Sequence, residues 1–322
     1  MHQRHPVIVV GAGICGVTCA RELAAAEIPY RLLDRGRRIG GRMAVRTVED
    51  RAVDLGASYF TAHDPLFADQ VESWTSRGLA RAWTDTFRIA TPDGLQGTKT
   101  GPVRYAAAGG LRALVEDLAA GLSVENPVEV LDVTVGGSGP LVDGAVASAV
   151  VLAMPDPQAL DLVADDLVAE RKVLGELTWE PVLALAACWP ERSWPDLDGV
   201  FVNDSPVLTF VADDGARRGD GAPVLVAHAH PVFSARHLDE PEDAAPAMLA
   251  ELTAVLGLGA APSWQLVKRW GVAKPLAGRD EPYFLGAADV GLAGDGWHGG
   301  PRIEAAYLSG RALGVELVRR LG

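Results

Sequence analysis

Apolar positions along this chain alternate between long unbroken runs and helical spacing. Val7-Ile8-Val9-Val10 is continuous, as expected of a strand buried on both faces of a parallel sheet. It flows into Gly11-Ala12-Gly13-Ile14-Cys15-Gly16, and the small residues from Ile14 to Glu27 predict a helix pressed closely on that sheet. A second run, Tyr30-Arg31-Leu32-Leu33, stops at Asp34. Asp64-Pro65-Leu66-Phe67 starts a helix predicted to reach about Ser76. Ala82 to Ile89 reads as a strand closed by the turn Pro92-Asp93-Gly94. Beyond Gly109-Gly110, Leu111, Leu114, Val115 and Leu118 recur at helical spacing, and Val124 to Val135 is β-rich up to the turn Gly136-Gly137-Ser138-Gly139-Pro140. Ala149 to Ala153 predicts a short buried strand ending at Met154-Pro155.

The pattern then changes. Val182–Trp189, Val200–Val202, Val207–Val211 and Val224–His230 are short β-rich runs at hairpin-like intervals, the signature of an antiparallel sheet. Ala245, Met248, Leu249, Leu252 and Leu256 line one face of a helix predicted over Ala244–Leu256, with Gly257 as its stop, and Leu266–Trp270 adds one more strand. The chain closes on Val290-Gly291-Leu292-Ala293-Gly294-Asp295 and a helix with Ile303, Ala306, Tyr307, Gly310, Leu313 and Leu317 on one face. It therefore leaves a nucleotide-binding lobe and returns to it. The expected fold class is α/β: a Rossmann-type lobe from residues 1–78, 101–155 and 275–322, and a second α+β lobe on an antiparallel sheet from 79–100 and 156–274.

The glycines carry the first chemistry. Gly11 permits a tight turn, Gly13 lets backbone approach a pyrophosphate, and Gly16 lets helix pack on strand. The helix N-terminus at Ile14 and Cys15 offers unpaired N–H groups and a positive dipole end to an anion. Asp34 follows Gly16 at a spacing close to the roughly 20 residues usual for the carboxylate that holds a ribose hydroxyl. Gly294-Asp295 brings a second carboxylate to a strand end, suited to ribityl hydroxyls. The helix beginning near Arg302 aims its N-terminus at the flavin N1/O2 edge, where reduction places negative charge. The split lobe and these three segments point to FAD in place of a simple nicotinamide cofactor. Arg42, after Gly40-Gly41, is either a phosphate counter-charge or a surface arginine.

At 322 residues the chain is long enough for two lobes around one ligand. Its net charge of −13 argues against nucleic acid or an anionic membrane surface as partner. Cys15, Cys19 and Cys188 have no metal-site spacing and read as core packing in a reducing, cytoplasmic setting; no metal is expected. No run approaches the ~20 apolar residues of a membrane span. Basic residues before the first apolar run mimic a signal peptide, but cleavage there would remove the phosphate loop.

The block Gly40-Gly41-Arg42-Met43, then Asp54-Leu55-Gly56-Ala57-Ser58-Tyr59-Phe60-Thr61-Ala62 with Asp64 and Phe67, resembles the bacterial renalase-type flavoproteins, a branch of the amine-oxidase-like FAD superfamily. The likeness continues through Pro155-Asp156-Pro157-Gln158-Ala159, Phe201 to Pro206, His228-Ala229, Lys268-Arg269-Trp270 with Pro275, and Gly294-Asp295 to Ser309-Gly310. It implies a two-lobed fold like that of para-hydroxybenzoate hydroxylase with non-covalent FAD. It further implies a reaction in which 2- or 6-dihydro isomers of NAD(P)H give hydride to flavin N5, NAD(P)+ is released, and oxygen reoxidises the flavin to yield hydrogen peroxide. The expected partners are thus a dihydronicotinamide dinucleotide and oxygen. The cofactor contacts so implied are Gly11, Gly13, Ile14, Cys15, Gly16, Asp34, Arg35, Gly41, Arg42, Gly56, Ala57, Ser58, Val128, Gly294, Asp295, Arg302 and Ile303.

On the substrate side, His228 matches a histidine of the family pattern and is placed to touch the carboxamide, the alternative being a hydrogen-bonded core histidine. Asn203 lines the pocket or serves the turn with Asp204-Ser205-Pro206, while Tyr59 and Trp270 wall the flavin cavity or pack as core. Lys268 and Lys274 are candidates for a lysine bridging through water to N5, and Arg269 and Arg302 for contact with substrate phosphate. The segments Trp297–Arg302, with His298, and Lys99–Ala108 depart from the family pattern. An amine or polyamine oxidase is the near alternative, and a non-catalytic flavin- or dinucleotide-binding sensor the one from another class.

Overall fold

The computed structural model describes residues 5–322, so the basic residues ahead of the first apolar run, apart from His5, lie outside it. Val7–Val10 is the centre of a six-stranded sheet and buried throughout. It pairs in parallel with Tyr30–Leu33 on one side and Ala149–Leu152 on the other. Val290–Leu292 continues the parallel set, with Phe284–Leu285 antiparallel at one edge and Val124–Glu125 parallel at the other. Chain order reverses at Val7–Val10, and the carboxyl ends at such a switch point are where open α/β sheets hold ligands.

Helix Ile14–Ala25 packs on this sheet and on the C-terminal helix Ile303–Leu321. The second contact is as close as the first: a Cβ on Gly310 would fall 2.1 Å from Cys15 O. The small residues along Ile14–Ala25 thus serve a helix–helix seam as well as the strand.

The second sheet has seven strands in the order Trp264–Pro275, Trp179–Cys188, Val224–Ala229, Leu208–Asp213, Gly199–Val202, Arg81–Thr91, Gly94–Ala106. All neighbours are antiparallel except Gly199–Val202 and Arg81–Thr91. One face carries Leu183, Leu185, Val211 and Leu225 and is covered by Met248 and Leu252 of helix Ala245–Leu256. The other face turns towards Val53, Leu55 and Tyr59 of the first lobe.

Several elements differ from the sequence expectations for physical reasons. Within Val124–Val135 only the ends are strand, and Val133–Gly136 opens a separate three-stranded meander. Gly136 and Gly139 pair with each other, so the turn is Gly137-Ser138. Gly94–Ala106 is an edge strand whose Gly97, Lys99, Gly101 and Pro102 break any apolar alternation, a composition edge strands tolerate. Short helices at Val168–Leu174, Asp214–Arg218 and Pro231–Arg236 were too brief to show a period. Among the described residues, no helix is long and apolar enough to cross a membrane.

Candidate functional site

The fingerprint turn is locked by its glycines. Gly11 sits at φ +103°, and a Cβ there would meet Ala153 O at 2.7 Å; a Cβ on Gly16 would meet Gly11 O at 1.9 Å. Gly13 differs: its φ is −76°, and a Cβ would find nothing nearer than Gly41 Cα at 3.9 Å. Space is therefore kept open above Gly13, facing Gly41, as a phosphate-binding loop requires. Asp34 accepts hydrogen bonds from Ala12 N at 2.6 Å and Gly36 N at 2.7 Å, tying the end of the second strand to the turn. A carboxylate has about four acceptor positions, so capacity for a ribose hydroxyl remains. Val128 N donates to Asp34 O at 2.8 Å, while Arg35 beside it is exposed. Burial pushes the Cys15 thiol well up and that of Cys19 up to about 12, so both stay protonated packing groups.

At the other end of the cleft, Arg42 and Asp295 form a fork. The guanidinium donates to the two carboxylate oxygens at 2.8 and 2.5 Å and to Ala273 O at 2.7 Å. Arg42 is thus held by the strand end that follows Gly294, and is not a free surface arginine. Ala57 N donates to Arg42 O at 3.0 Å, and a Cβ on Gly56 would clash with the same carbonyl at 1.9 Å. Gly56-Ala57-Ser58 is therefore pressed onto the Gly41-Arg42 turn. Arg302 is an exposed residue preceding the C-terminal helix, with Ile303 part-buried behind it. Sequence reasoning missed Glu304 in that first turn: it is buried and accepts from His63 N at 2.6 Å and Asp64 N at 2.8 Å, anchoring the helix start.

The second lobe contributes a row of side chains. Strand register sets Lys268, Ala184, His228, Phe210 and Phe201 side by side on the face towards the first lobe. Trp270, on the same strand as Lys268, donates Nε1 to Leu55 O at 2.7 Å, and Lys268 Nζ lies 5.0 Å from its ring. Tyr59 packs edge-on to Phe87 at 5.3 Å, with Trp83 and Phe210 around it. Arg104 lies over Phe87 at 4.0 Å and donates to Asp85 O. Burial, reinforced by Arg217 and Lys274, pushes the His228 imidazole down to about 4, so the ring is neutral at ordinary pH. Lys274 is half exposed and paired with Glu180 at 3.3 Å. Asn203 is not gathered with these residues: it is exposed in the turn after Gly199–Val202, with its backbone N bonded to Ala90 O.

The buried Ser58 Oγ, His228 Nε2 and Trp83 Nε1 on this surface have no hydrogen-bond partner. Buried polar atoms in folded proteins are almost always bonded, so each of these calls for a partner. With the open space at Gly13, they fit a dinucleotide lying from Asp34 to Asp295.

A second set missed by sequence reasoning is the charge cluster of Asp54, Asp214, Arg217 and Arg218 between the lobes. Burial raises the Asp54 carboxyl despite the two arginines. Burial would raise Asp214 too, but Arg217, Arg218 and Arg51 outweigh it and hold it below its usual range. The available signal was Asp-Gly-Ala-Arg-Arg directly after a strand, with acid and bases at i, i+3 and i, i+4.

A phosphate-binding turn at a switch point, faced by the aromatic side of a second sheet, has the layout of a dinucleotide site. A profile of NAD(P)-binding Rossmann-like domains matches residues 9–72, and one of flavin-containing amine oxidoreductases matches residues 81–313. The chain belongs to the flavin-containing amine oxidoreductase family, and it is an FAD-dependent oxidoreductase. Its fold is similar to that of cyclohexylamine oxidase from Brevibacterium oxydans IH-35A (TM-score 0.78, 14% identity, 99% of this chain and 100% of that one). It is also similar to that of putrescine oxidase bound to putrescine (TM-score 0.76, 14% identity, 99% and 100%). Hydroxyneurosporene desaturase from Rubrivivax gelatinosus is 42% identical over 69 residues, which are 20% of this chain and only 13% of the desaturase.

Proposed function

We propose that this chain is a renalase-like oxidase that converts the 2- or 6-dihydro isomers of NAD(P)H to NAD(P)+, with oxygen reduced to hydrogen peroxide. The observation that carries this reading is the charge of the surface facing the cofactor. The row Lys268–Ala184–His228–Phe210–Phe201 holds a cation, a neutral imidazole and no carboxylate. Arg104 adds positive charge beside it, while Glu180 is paired with Lys274 and Arg217 with Asp214. An ammonium substrate would find no carboxylate partner in this row and would meet the repulsion of Lys268 and Arg104, whereas a dinucleotide brings phosphates to them.

Bound FAD supplies the redox chemistry, taking two electrons from the donor and passing them to oxygen. Asp34 would hold the adenosine ribose, the Gly13 turn the pyrophosphate, and Asp295 the ribityl chain without a covalent bond. The neutral His228 accepts from or donates to the carboxamide through Nε2, and Phe210, Phe201 and Tyr59 exclude water from the donor ring. Arg302, half-exposed and 4.0 Å from Glu304, would meet a substrate phosphate.

The second reading is an amine oxidase, favoured by Lys268 above the Trp270 ring at 5.0 Å, a lysine and an aromatic wall on one strand. Stopped-flow mixing of the holoprotein with 6-dihydroNAD, 2-dihydroNAD, ordinary NADH and a panel of amines separates the two. The expected result is rapid loss of the oxidised-flavin band with an isomeric dihydronucleotide. Rapid bleaching by an amine alone would replace the proposal with the second reading.

The neutral histidine also sets a pH dependence. Its ordinary value of 6.5 in the unfolded chain falls to about 4 in the fold, so the unfolded chain binds more protons between those values. The contribution is complete above 6.5 and is lost as pH falls through 6.5 towards 4, a loss on the order of 3 kcal/mol. Urea unfolding across this window should show a slope that His228→Gln removes; an unchanged slope in that variant assigns it elsewhere.

A further inference from the structure

The turn carrying Gly56, Ala57 and Ser58 is held from the opposite lobe by charges. Arg217, 1% exposed in the short helix Asp214–Arg218, donates Nη1 to Ser58 O at 2.9 Å and Nη2 to Asp54 O at 3.4 Å. One guanidinium therefore spans both ends of the turn. Asp214 fixes that guanidinium, pairing with Arg217, Arg218 and Arg51. Arg218 returns to the Asp54 carboxylate at 2.9 Å and to Ala108 O at 2.9 Å, and Asp54 accepts Leu111 N at 3.0 Å. Within the span, Trp270 holds Leu55 O and Arg42 O holds Ala57 N, while Ser58 Oγ is left without a partner.

Apolar side chains of the same volume would join two lobes at least as strongly as buried ion pairs do. What a planar guanidinium adds is fixed geometry: two carbonyls and a carboxylate held at set distances by one rigid fork. We propose that Arg217 is a positioning residue for the cofactor, its fork setting where the Gly56–Ser58 backbone and the Ser58 hydroxyl stand against the flavin, with Asp214 and Arg218 as its supports. This rests on the reading that Gly56–Ser58 faces the flavin.

Arg217→Lys tests it, because lysine keeps the charge and loses the fork. Arg77→Gln is the control, since the Arg77 guanidinium bonds Asp117 and Ser73 O and touches neither residues 54–58 nor the Asp214 cluster. In Arg217→Lys the FAD dissociation constant should rise on the order of tenfold, as displacement of a preorganised contact does. The visible circular dichroism of the bound flavin and its midpoint potential should shift as well. Arg77→Gln should keep all three at the parent values whatever it does to the Tm. An Arg217→Lys protein with the parent's affinity, flavin dichroism and potential overturns the proposal. Should that variant not fold, Asp214→Asn, which frees the fork without removing it, is read on the same signals with the same two outcomes. Ser58→Ala tests the reading beneath. If it moves the flavin signals and Arg217→Lys does not, the turn faces the flavin and the clamp fails; if neither moves them, the turn is not at the flavin.

Discussion

Gly13→Ala is expected to fold like the parent and to purify without FAD, whereas Gly16→Ala is expected to lose the Rossmann-type lobe itself. The two glycines lie three residues apart in one turn, and the difference is steric. A methyl group on Gly13 enters open space at a φ any residue adopts, with 3.9 Å to the nearest heavy atom. It therefore costs the protein little, and occupies the space a pyrophosphate needs. A loss of about 100-fold in FAD affinity corresponds to about 3 kcal/mol. A methyl group on Gly16 would stand 1.9 Å from the backbone oxygen of Gly11 and 3.1 Å from Ala153 Cβ. The helix cannot retreat, because Gly310 of the C-terminal helix rests against Cys15 O on its other side. Overpacking of this kind costs about 3 kcal/mol or more. Thermal unfolding of the apoproteins and titration with FAD separate the outcomes. A Gly13→Ala protein that retains FAD at the parent ratio would remove the pyrophosphate from that turn.

That contrast shows what was legible in the sequence. The roles of Gly11 and Gly16 follow from a motif in which backbone meets backbone, and an added Cβ would stand 2.7 Å from Ala153 O at the first and 1.9 Å from Gly11 O at the second. The strands Val7–Val10, Ala149–Leu152 and Val290–Leu292 were legible because strands buried on both faces are continuously apolar. The edge strand Gly94–Ala106 was not, since Gly97, Lys99, Gly101 and Pro102 break the alternation a half-exposed strand otherwise keeps. Nor was the ionic clamp, because pairing between Asp54 and Arg218 depends on how two lobes meet and not on local spacing. The Arg42–Asp295 fork was hidden for the same reason: each residue was singled out for the cofactor, but their mutual bond crosses most of the chain.

That fork makes the remaining prediction unequal for its two members. Asp295→Ala leaves Arg42 with Ala273 O and the face of Trp179, 5.4 Å from its ring centroid, so the fold should lose only about 1–2 kcal/mol. Arg42→Met leaves the Asp295 carboxylate, 13% exposed, unpaired near the more deeply buried Asp156, which should cost about 3 kcal/mol or more. FAD affinity should run in the opposite order. If Asp295 takes the ribityl hydroxyls, its removal deletes that contact together with the orientation of Arg42, whereas Arg42→Met deletes only the support. Asp295→Ala should then weaken FAD by on the order of 100-fold and Arg42→Met by about tenfold, with a coupling of about 1–3 kcal/mol in the double variant. Equal losses in both single variants, with nothing added by the second substitution, would instead make Asp295 only the holder of Arg42, and the ribityl contact would have to be sought elsewhere on the Gly294 strand end.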